Sequence, residues 1–164
     1  MYKRQSGNYA LFLDADDELK KNALQELKIA IQASAPDIDV IHFGMELFGI
    51  DMPKDVCNGM LEQSNAQLPD AHNEEIIQST FAERKQDWRV LQRLYSSDLL
   101  KNAFENMTDS RLGRGQDAYG WLVISSSAKH ETFRNDLILY RYYLGRGITN
   151  VQPCLLYTSP SPRD

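Results

Sequence analysis

The first pattern along the chain is a short apolar run that stops at a group of acids. Residues 9–13 read Tyr-Ala-Leu-Phe-Leu, and residues 14–18 read Asp-Ala-Asp-Asp-Glu. A short apolar run with polar residues directly after it is typical of a buried β-strand. The run therefore predicts a strand whose C-terminal end carries carboxylates, and open α/β sheets bind their ligands at such strand ends.

The next stretch changes from helical to strand periodicity. Leu24, Leu27 and Ile31 recur with helical spacing within residues 22–33 and predict an amphipathic helix. The apolar positions in residues 38–48 then predict a second strand. A strand, a helix and a strand in this order fit a βαβ unit, so we expect an α/β fold.

The remainder of the chain is less regular. Residues 49–73 contain Gly, Pro, Asn and Asp but little periodicity, and they predict a long irregular insert. Beyond the insert we expect a short helix over 74–83, an extended piece over 88–95, a helix capped by Ser96 or Ser97, a helix over 116–128 and a strand over 137–143.

The two ends of the chain, residues 1–5 and 154–164, resemble translated sequencing-library adapter. If residues 2–5 are encoded TATAAGAGACAG, the reverse complement reads Cys-Leu-Leu and begins a Tyr codon, which matches residues 154–157. An inverted repeat on both sides of a reading frame is expected of adapter and would be a coincidence in a natural protein. We therefore expect the authentic segment to be residues 6–153, and to be a fragment.

Composition and charge narrow the class of protein. The chain has 164 residues, 42% of them hydrophobic and 25% charged, which suits one folded domain. Its net charge is −5, or −7 without the flanks, which hold three basic residues and one acidic residue. No basic cluster offers a surface for phosphates, so we expect no nucleic-acid partner.

Location is predicted from the apolar runs and the cysteines. The longest apolar runs are far shorter than the roughly 20 residues of a transmembrane helix, and no leader-like segment opens the chain. Without the flanks, Cys57 is the single cysteine, which excludes an internal disulfide and fits a reducing compartment. We expect a cytoplasmic protein with no transmembrane segment in this chain.

Asp14 and Asp16 are candidate metal ligands. One residue separates them on a turn just past the first strand, so their carboxylates point to the same side while Ala15 points away. A divalent cation held there would bridge an acidic protein to a nucleotide diphosphate and would help a phosphate to leave. The alternative is that Asp16, Asp17 and Glu18 only lead into a helix N-terminus, where acids are favourable.

Several segments together resemble the family 2 glycosyltransferases, whose catalytic domain has the GT-A fold. Residues 7–19 read GNYALFLDADDEL and, with Asn-Ala-Leu at 22–24, closely resemble the segment around the DXD motif of that family. Further matches are residues 38–44 with the next strand, 94–100 with a later segment ending in two leucines, 116–117 with the Glu-Asp before a helix, and 140–143 with a Tyr-rich strand.

The resemblance implies a fold. We expect an α/β chain that forms a partial GT-A domain, that is a nucleotide-diphospho-sugar transferase domain, over residues 6–153. Its sheet would be mixed, with Asp14 and Asp16 at the C-terminal end of a central strand. The βαβ units that hold the nucleotide base normally precede this strand in the family. We expect the chain to lack these units and to be nearly inactive by itself.

The resemblance also implies site residues. Asp14 would contact the ribose or diphosphate of the donor nucleotide and the metal, and Asp16 would bind the metal, Mn²⁺ or Mg²⁺. Asp117 would be the catalytic base that deprotonates the acceptor hydroxyl, with a purely structural acid as the alternative. Asp17 is assigned to local turn and cap chemistry. Gln116 departs from the usual Glu, which leaves open a degenerate domain that only binds partners or sugars.

The implied activity is the transfer of a sugar, with inversion, from a nucleotide-diphosphate donor to a hydroxyl of a glycan or lipid-linked acceptor. Such a reaction would serve cell-surface glycan or polysaccharide synthesis, at the inner face of the membrane in the full-length protein. An alternative is a haloacid-dehalogenase-like phosphatase, which also opens with an apolar strand and Asp-x-Asp. That motif normally continues with Thr or Val two residues after the second Asp, where this chain has Glu18.

Other side chains are open to a structural or a functional interpretation. His42 is expected to pack in its strand, and His130 to cap a helix C-terminus or, less readily, to be a third metal ligand. Trp88 and Trp121 are most simply core residues, with stacking on an acceptor sugar as the alternative.

Overall fold

The computed structural model describes residues 7–49, 52–108, 112 and 115–145. Both predicted adapter segments, 1–5 and 154–164, lie outside these residues. The described elements are β1 (Tyr9–Leu11), β2 (Glu18–Leu19), α1 (Ala23–Ala33), β3 (Val40–Gly49), α2 (Lys54–Ser64), β4 (Ala71–His72), α3 (Glu74–Ile77) with a π-helical turn (Gln78–Ala82), β5 (Arg93–Ser96), α4 (Ser97–Glu105), α5 (Gln116–Ser127) and β6 (His130–Leu144).

The strands form one mixed sheet, which confirms the predicted α/β class. Their order is β1-β5-β3-β6-β2, and β4 pairs with β6. β5 is antiparallel to both β1 and β3, and β3 is parallel to β6. Among the described helices, none is long and apolar enough to cross a membrane.

Helices pack on the sheet in two apolar clusters. Buried Ala23, Leu27 and Ala30 of α1 contact one cluster, which also contains Ile41 and Phe43 of β3. Helices α3, α4 and α5 contribute to the other cluster, which contains Val40 of β3, Ile76, Leu99, Trp121 and Ile124. Because neighbouring residues of a strand point to opposite faces, the sheet is covered on both sides.

Helix α1 is where residues 22–33 predicted it, but its buried stripe differs from the expected one. Ala23, Leu27 and Ala30, spaced four and three residues apart, face the sheet, whereas Leu24 is 68% exposed. Small alanines allow the helix to approach the sheet closely on that side. The sequence offered Ser96 or Ser97 as the cap of helix α4, and Ser96 is the cap. The Leu99 amide donates to its hydroxyl at 3.2 Å.

Strand β1 lies at an edge of the described sheet, so the expected central position is wrong. Strands β1 and β3 run in the same direction, as the predicted βαβ unit requires, but β5 lies between them. Among the described residues, β5 is the one strand that pairs with β1.

The predicted irregular insert at 49–73 is wrong, because it contains α2 and β4. Helix α2 begins after Pro53 and buries only one residue completely, Ser64. Its partly buried Cys57, Met60 and Leu61 have helical spacing, but the other positions are polar or Gly apart from Val56, which is exposed. A helix that covers little apolar surface leaves only a weak periodicity in the sequence.

Gln92 and Asn65 continue the hydrogen bonding of β3 beyond the N-terminal end of β5. Gln92 has a left-handed backbone with φ of 59°. Its carbonyl accepts from the Phe43 amide at 2.9 Å, and its side-chain amide donates to the Phe43 carbonyl at 3.1 Å. Asn65 then accepts from the Met45 amide at 2.8 Å and donates to the Met45 carbonyl at 2.9 Å. These contacts protect what would otherwise be an open strand edge.

Strand β6 is longer than the predicted 137–143 and is irregular against β3. Phe43 is opposite Arg134, Gly44 is opposite Ile138 and Met45 is opposite Tyr140, so β6 bulges twice. The first bulge turns Asn135 inward, where its side-chain amide donates to the Ala66 carbonyl at 2.6 Å. Polar residues at this bulge hide the strand from a pattern of apolar positions, and the bulges set which side chains β6 presents at its far end.

We predict that Gly44→Ala destabilises the fold. A Cβ at Gly44 would lie 2.5 Å from Cδ1 of Ile138 and 2.6 Å from the carbonyl oxygen of Asn135, and the carbonyl belongs to backbone that cannot easily move. We expect the free energy of unfolding in urea to fall by about 1–3 kcal/mol.

Gly59→Ala is the matched control. Its Cβ would meet no atom within 4 Å on helix α2. Alanine is the better helix former, so we expect this variant to gain about 0.5–1 kcal/mol. Equal losses in the two variants would contradict the assignment of Gly44 to a crowded bulge.

Candidate functional site

The acids after β1 form a tight cluster. Asp14, Asp16 and Asp17 each place a ligand oxygen within 4.8 Å of those of the other two. The turn is closed by the Asp17 amide, which donates to the Asp14 carbonyl at 3.2 Å. Asp14 is exposed, Asp16 is half-buried and Asp17 is buried. Hard carboxylate oxygens at this spacing fit Mg²⁺ or Mn²⁺, so the residues present suit the predicted cation.

Asp17 does not serve the local cap chemistry expected of it. Its carboxylate accepts the Tyr140 hydroxyl at 2.7 Å and the Tyr143 backbone amide at 2.8 Å, from residues 123 and 126 positions away. Burial raises the pKa of Asp17, and these two hydrogen bonds oppose that change. Asp17 is therefore a tertiary anchor between the acidic turn and β6.

Asp117 is located at the start of helix α5. It is half-buried in the first turn of the helix, where the helix dipole favours a negative charge. Partial desolvation raises the pKa of Asp14, and repulsion from Asp117 raises it further, more than repulsion from Asp17 or Asp16. The charge of Asp117 is therefore felt at Asp14.

Gln116, the residue before Asp117, makes a local hydrogen bond. It is exposed, and its side-chain amide donates to the Leu112 carbonyl at 2.8 Å. The carboxylate that the family resemblance expects at this position is therefore replaced by an amide engaged in its own loop.

Arg89 is a site residue that the sequence analysis missed. Its Nη2 donates to Oδ2 of Asp87 at 2.8 Å and to the Ser64 hydroxyl at 2.7 Å. The guanidinium carbon lies 5.5 Å from the centre of the Tyr142 ring. Burial raises the pKa of Asp117, and the charge of Arg89 opposes that rise. The signal available in the sequence was Asp87, an acid two residues before Arg89, but it belongs to no recognised motif.

A buried polar network lies behind Arg89. Arg93 is fully buried and donates from Nε to Glu131 at 3.3 Å, and from Nη2 to Gln86 and to the Asp87 carbonyl, both at 2.9 Å. Its guanidinium lies 4.0 Å from the ring centre of Trp121, on helix α5. The network connects β5 and β6 to the segment that carries Arg89 and to the helix that carries Asp117.

The two tryptophans differ. Trp121 is completely buried and donates from Nε1 to the Thr80 hydroxyl at 2.9 Å, so the prediction of a core residue is confirmed and stacking on a sugar is excluded for it. Trp88 is 49% exposed, so the core interpretation is wrong there. It lies between Asp87 and Arg89, whose side chains form an ion pair at 2.8 Å.

The two histidines considered from the sequence lie away from the acidic turn. His42 is buried in β3 as predicted, with Nδ1 2.6 Å from Oδ1 of Asn135, and burial and then the charge of Arg93 lower its pKa to about 3. His130 begins β6 and contacts Asp37 at 3.3 Å and Asp70 at 3.2 Å. His130 is not the C-terminal cap of α5, which is Ala128, and it does not belong to the cluster of Asp14, Asp16 and Asp17.

Comparison with known proteins shows the fold. No family model and no curated protein matches the chain. Among solved structures, S. aureus TarS 1–349 in complex with UDP-GlcNAc aligns with a TM-score of 0.62 and 19% identity, over 89% of this chain and 37% of that one. The complex of the same protein with UDP gives 0.61 and 18%, over 87% and 38%, and S. aureus TarS gives 0.58 and 17%, over 88% and 23%.

At these identities the likeness carries the fold alone. The chain is a mixed α/β structure with a mixed sheet, and its fold is similar to part of the TarS structures. It spans less than two fifths of the length of the structures that it matches.

We predict that Asp87→Asn destabilises the fold in a pH-dependent way. Burial alone would raise the pKa of Asp87, but the charges of Arg89 and Arg93 outweigh it and lower the pKa from 3.8 to about 2. Removing one partner from a buried group of charges is strongly destabilising, so we expect the free energy of unfolding to fall by about 3 kcal/mol. Urea unfolding at pH 6 measures this change.

The pH dependence has a definite sign. A pKa depressed on folding contributes stability that is complete above pH 3.8 and is lost as the pH falls towards 2. The difference in unfolding free energy between wild type and Asp87→Asn should therefore be constant above about pH 5 and shrink below pH 4. Asp98→Asn, at an acid that is 95% exposed, is the control and should cost less than about 1 kcal/mol. A difference that grows on acidification would contradict the pairing.

Proposed function

We propose that the chain is the central part of a metal-dependent, inverting glycosyltransferase. The enzyme would transfer a sugar from a nucleotide-diphosphate donor to a hydroxyl of a glycan or lipid-linked acceptor. The observation that supports this proposal is the cluster of carboxylates of Asp14, Asp16 and Asp17, with the charge of Asp117 acting on Asp14, in a fold similar to that of a protein solved with UDP-GlcNAc.

The donor side rests on the acidic turn. Asp14 and Asp16 would hold Mn²⁺ or Mg²⁺, and such a cation stabilises a nucleotide diphosphate as it leaves. Burial, and then repulsion from Asp117, Asp17 and Asp16, raise the pKa of Asp14, and a bound cation would relieve that repulsion. Asp14 is the most exposed of the three, which suits a residue that also contacts the donor nucleotide.

The acceptor side rests on Asp117. Burial raises the pKa of its carboxyl above the usual range, and a more basic carboxylate is a better acceptor for the hydroxyl proton. The charge of Arg89 and the α5 dipole keep it ionised. Attack by the deprotonated hydroxyl opposite the departing diphosphate, in a single displacement, inverts the anomeric carbon.

Two further parts of the proposal concern context. We place the reaction in the cytoplasm, at the inner face of the membrane, in the synthesis of cell-surface glycans. Because the chain covers 37% of the TarS chain with UDP-GlcNAc, we assign activity to a longer protein and expect this chain alone to be nearly inactive. The fold favours a sugar transferase over the phosphatase alternative.

The first test is metal dependence. In the longer protein, release of the nucleoside diphosphate from UDP-GlcNAc and other nucleotide sugars should require Mn²⁺ or Mg²⁺ and stop in excess chelator. Asp16→Asn should abolish turnover while leaving the circular dichroism spectrum unchanged, because Asp16 is a half-buried turn residue outside the sheet. Full activity in chelator would reject the metal-dependent mechanism.

The second test concerns the base. Asp117→Asn should lower turnover by about 10²- to 10⁴-fold with donor binding little changed, because the side chain would act on the acceptor proton only. Gln116→Ala is the neighbouring control and should retain turnover, since its amide contacts the Leu112 carbonyl. Unchanged turnover in Asp117→Asn would favour a structural acid.

Product stereochemistry is measured on the same reaction. Nuclear magnetic resonance of the product should show the inverted anomer, and a retained anomer would reject single displacement. If the longer protein turns over no nucleotide sugar yet binds one, the degenerate alternative raised by Gln116 is correct.

A further inference from the structure

Strand β6 holds the acidic turn from behind through one tyrosine. The Tyr140 hydroxyl donates to Oδ2 of Asp17 at 2.7 Å and accepts from the Asp14 backbone amide at 3.4 Å. The Tyr143 amide donates to the other oxygen of Asp17 at 2.8 Å. Both ends of the four-residue turn are thus tied to β6, and the ligand oxygens of Asp14, Asp16 and Asp17 lie within 4.8 Å of one another.

The turn needs such a tie because it lies outside the sheet. Strand β1 ends at Leu11 and pairs with β5, and β2 begins at Glu18 and pairs with β6. The backbone between these strands therefore crosses from one edge of the sheet to the other. A single backbone hydrogen bond, from Asp17 to Asp14, closes the turn among the described residues.

Tyr140 is built to hold a fixed position. Its ring is completely buried in the cluster shared by α1 and β3, and the β6 bulge places it opposite Met45. A tyrosine with its ring in the core and its hydroxyl at a polar rim presents that hydroxyl at one point in space.

We propose that Tyr140 is a positioning residue for the divalent cation. Acting through Asp17, its hydroxyl sets the separation of the Asp14 and Asp16 carboxylates. Asp17, with both oxygens already accepting hydrogen bonds, orients the turn, and Asp14 and Asp16 are left to ligate. The inference rests on the proposed function for the nature of the ligand and adds a division of roles among the three acids.

The experiment measures Mn²⁺ binding to the chain by electron paramagnetic resonance, with the metal alone. Tyr140→Phe keeps the buried ring and removes the hydroxyl. We expect Mn²⁺ to bind about 10- to 100-fold more weakly, as when a residue that supports a metal ligand is removed. Binding as tight as in wild type would overturn the proposal.

Tyr95→Phe is the matched control. Tyr95 is as deeply buried as Tyr140, and its hydroxyl donates to the Val90 carbonyl at 2.7 Å. This variant loses a comparable hydrogen bond and a comparable amount of stability, so it separates general destabilisation from loss of the turn. We expect its Mn²⁺ affinity to stay within about twofold of wild type. An equal loss of affinity in both variants would also overturn the proposal.

A double-mutant cycle tests whether Tyr140 acts through Asp17. Asp17→Asn leaves one oxygen to accept two donors, so we expect it to weaken Mn²⁺ binding as well. If the hydroxyl works through the carboxylate, the double variant should bind no more weakly than Asp17→Asn alone. Additive losses would show that Tyr140 acts independently of Asp17 and would reject the mechanism.

The cycle also separates this inference from the proposed function. Wild-type chain that binds no Mn²⁺ would reject the metal site itself and both proposals with it. Mn²⁺ bound equally by wild type and by folded Tyr140→Phe would reject only the positioning role. Should Tyr140→Phe not fold, Asp17→Asn alone decides, because an unchanged affinity in that variant would remove the anchor that the proposal requires.

Discussion

A charge buried in the middle of the fold, the guanidinium of Arg93, constrains everything around it. Taking an ion out of water costs several kcal/mol unless partners surround it, which is why Glu131, Gln86 and the Asp87 carbonyl all point at this one group. The partners come from β6 and from the segment before β5. The ring of Trp121 adds a contact from α5. Satisfying one buried arginine therefore fixes three separate parts of the chain.

Both sides of the candidate site depend on that arrangement. The segment that Arg93 holds continues to Arg89, whose charge acts on Asp17 and on Asp117. Helix α5, fixed by Trp121, presents Asp117 at its first turn. The acidic turn is held by β6. This strand contacts Arg93 near its start through Glu131 and the acidic turn near its end through Tyr140. One strand thus connects the buried charge to the candidate metal ligands.

The sequence predicted what local patterns record. An apolar run ending in acids located β1 and the acidic turn, and helical spacing located α1 and α4. The resemblance of short motifs also brought Asp14, Asp16 and Asp117 into one hypothesis before any fold was known. These features depend on a few neighbouring residues, so a single sequence is sufficient to reveal them.

The failures concern contacts between distant positions. Asp17 was assigned to its own turn because the sequence does not show that its hydrogen-bond partners lie on β6. Arg89 was missed because its role arises from tertiary contacts with Ser64 and Tyr142. Helix α2 escaped because it covers little apolar surface. The length of β6 escaped because its bulge turns the polar Asn135 inward. For Asp17, Arg89 and Asn135 the physical cause is a partner far away in the chain.

The unequal exposure of the two tryptophans has an optical consequence. Trp121 is out of contact with water, whereas Trp88 has 49% of its surface in it, within the same segment as Arg89. An ionic quencher in solution reaches only Trp88, and the emission of the shielded indole remains. The chain therefore carries a fluorescent reporter beside the candidate site and a second one inside the core, and the two can be observed separately without any added label.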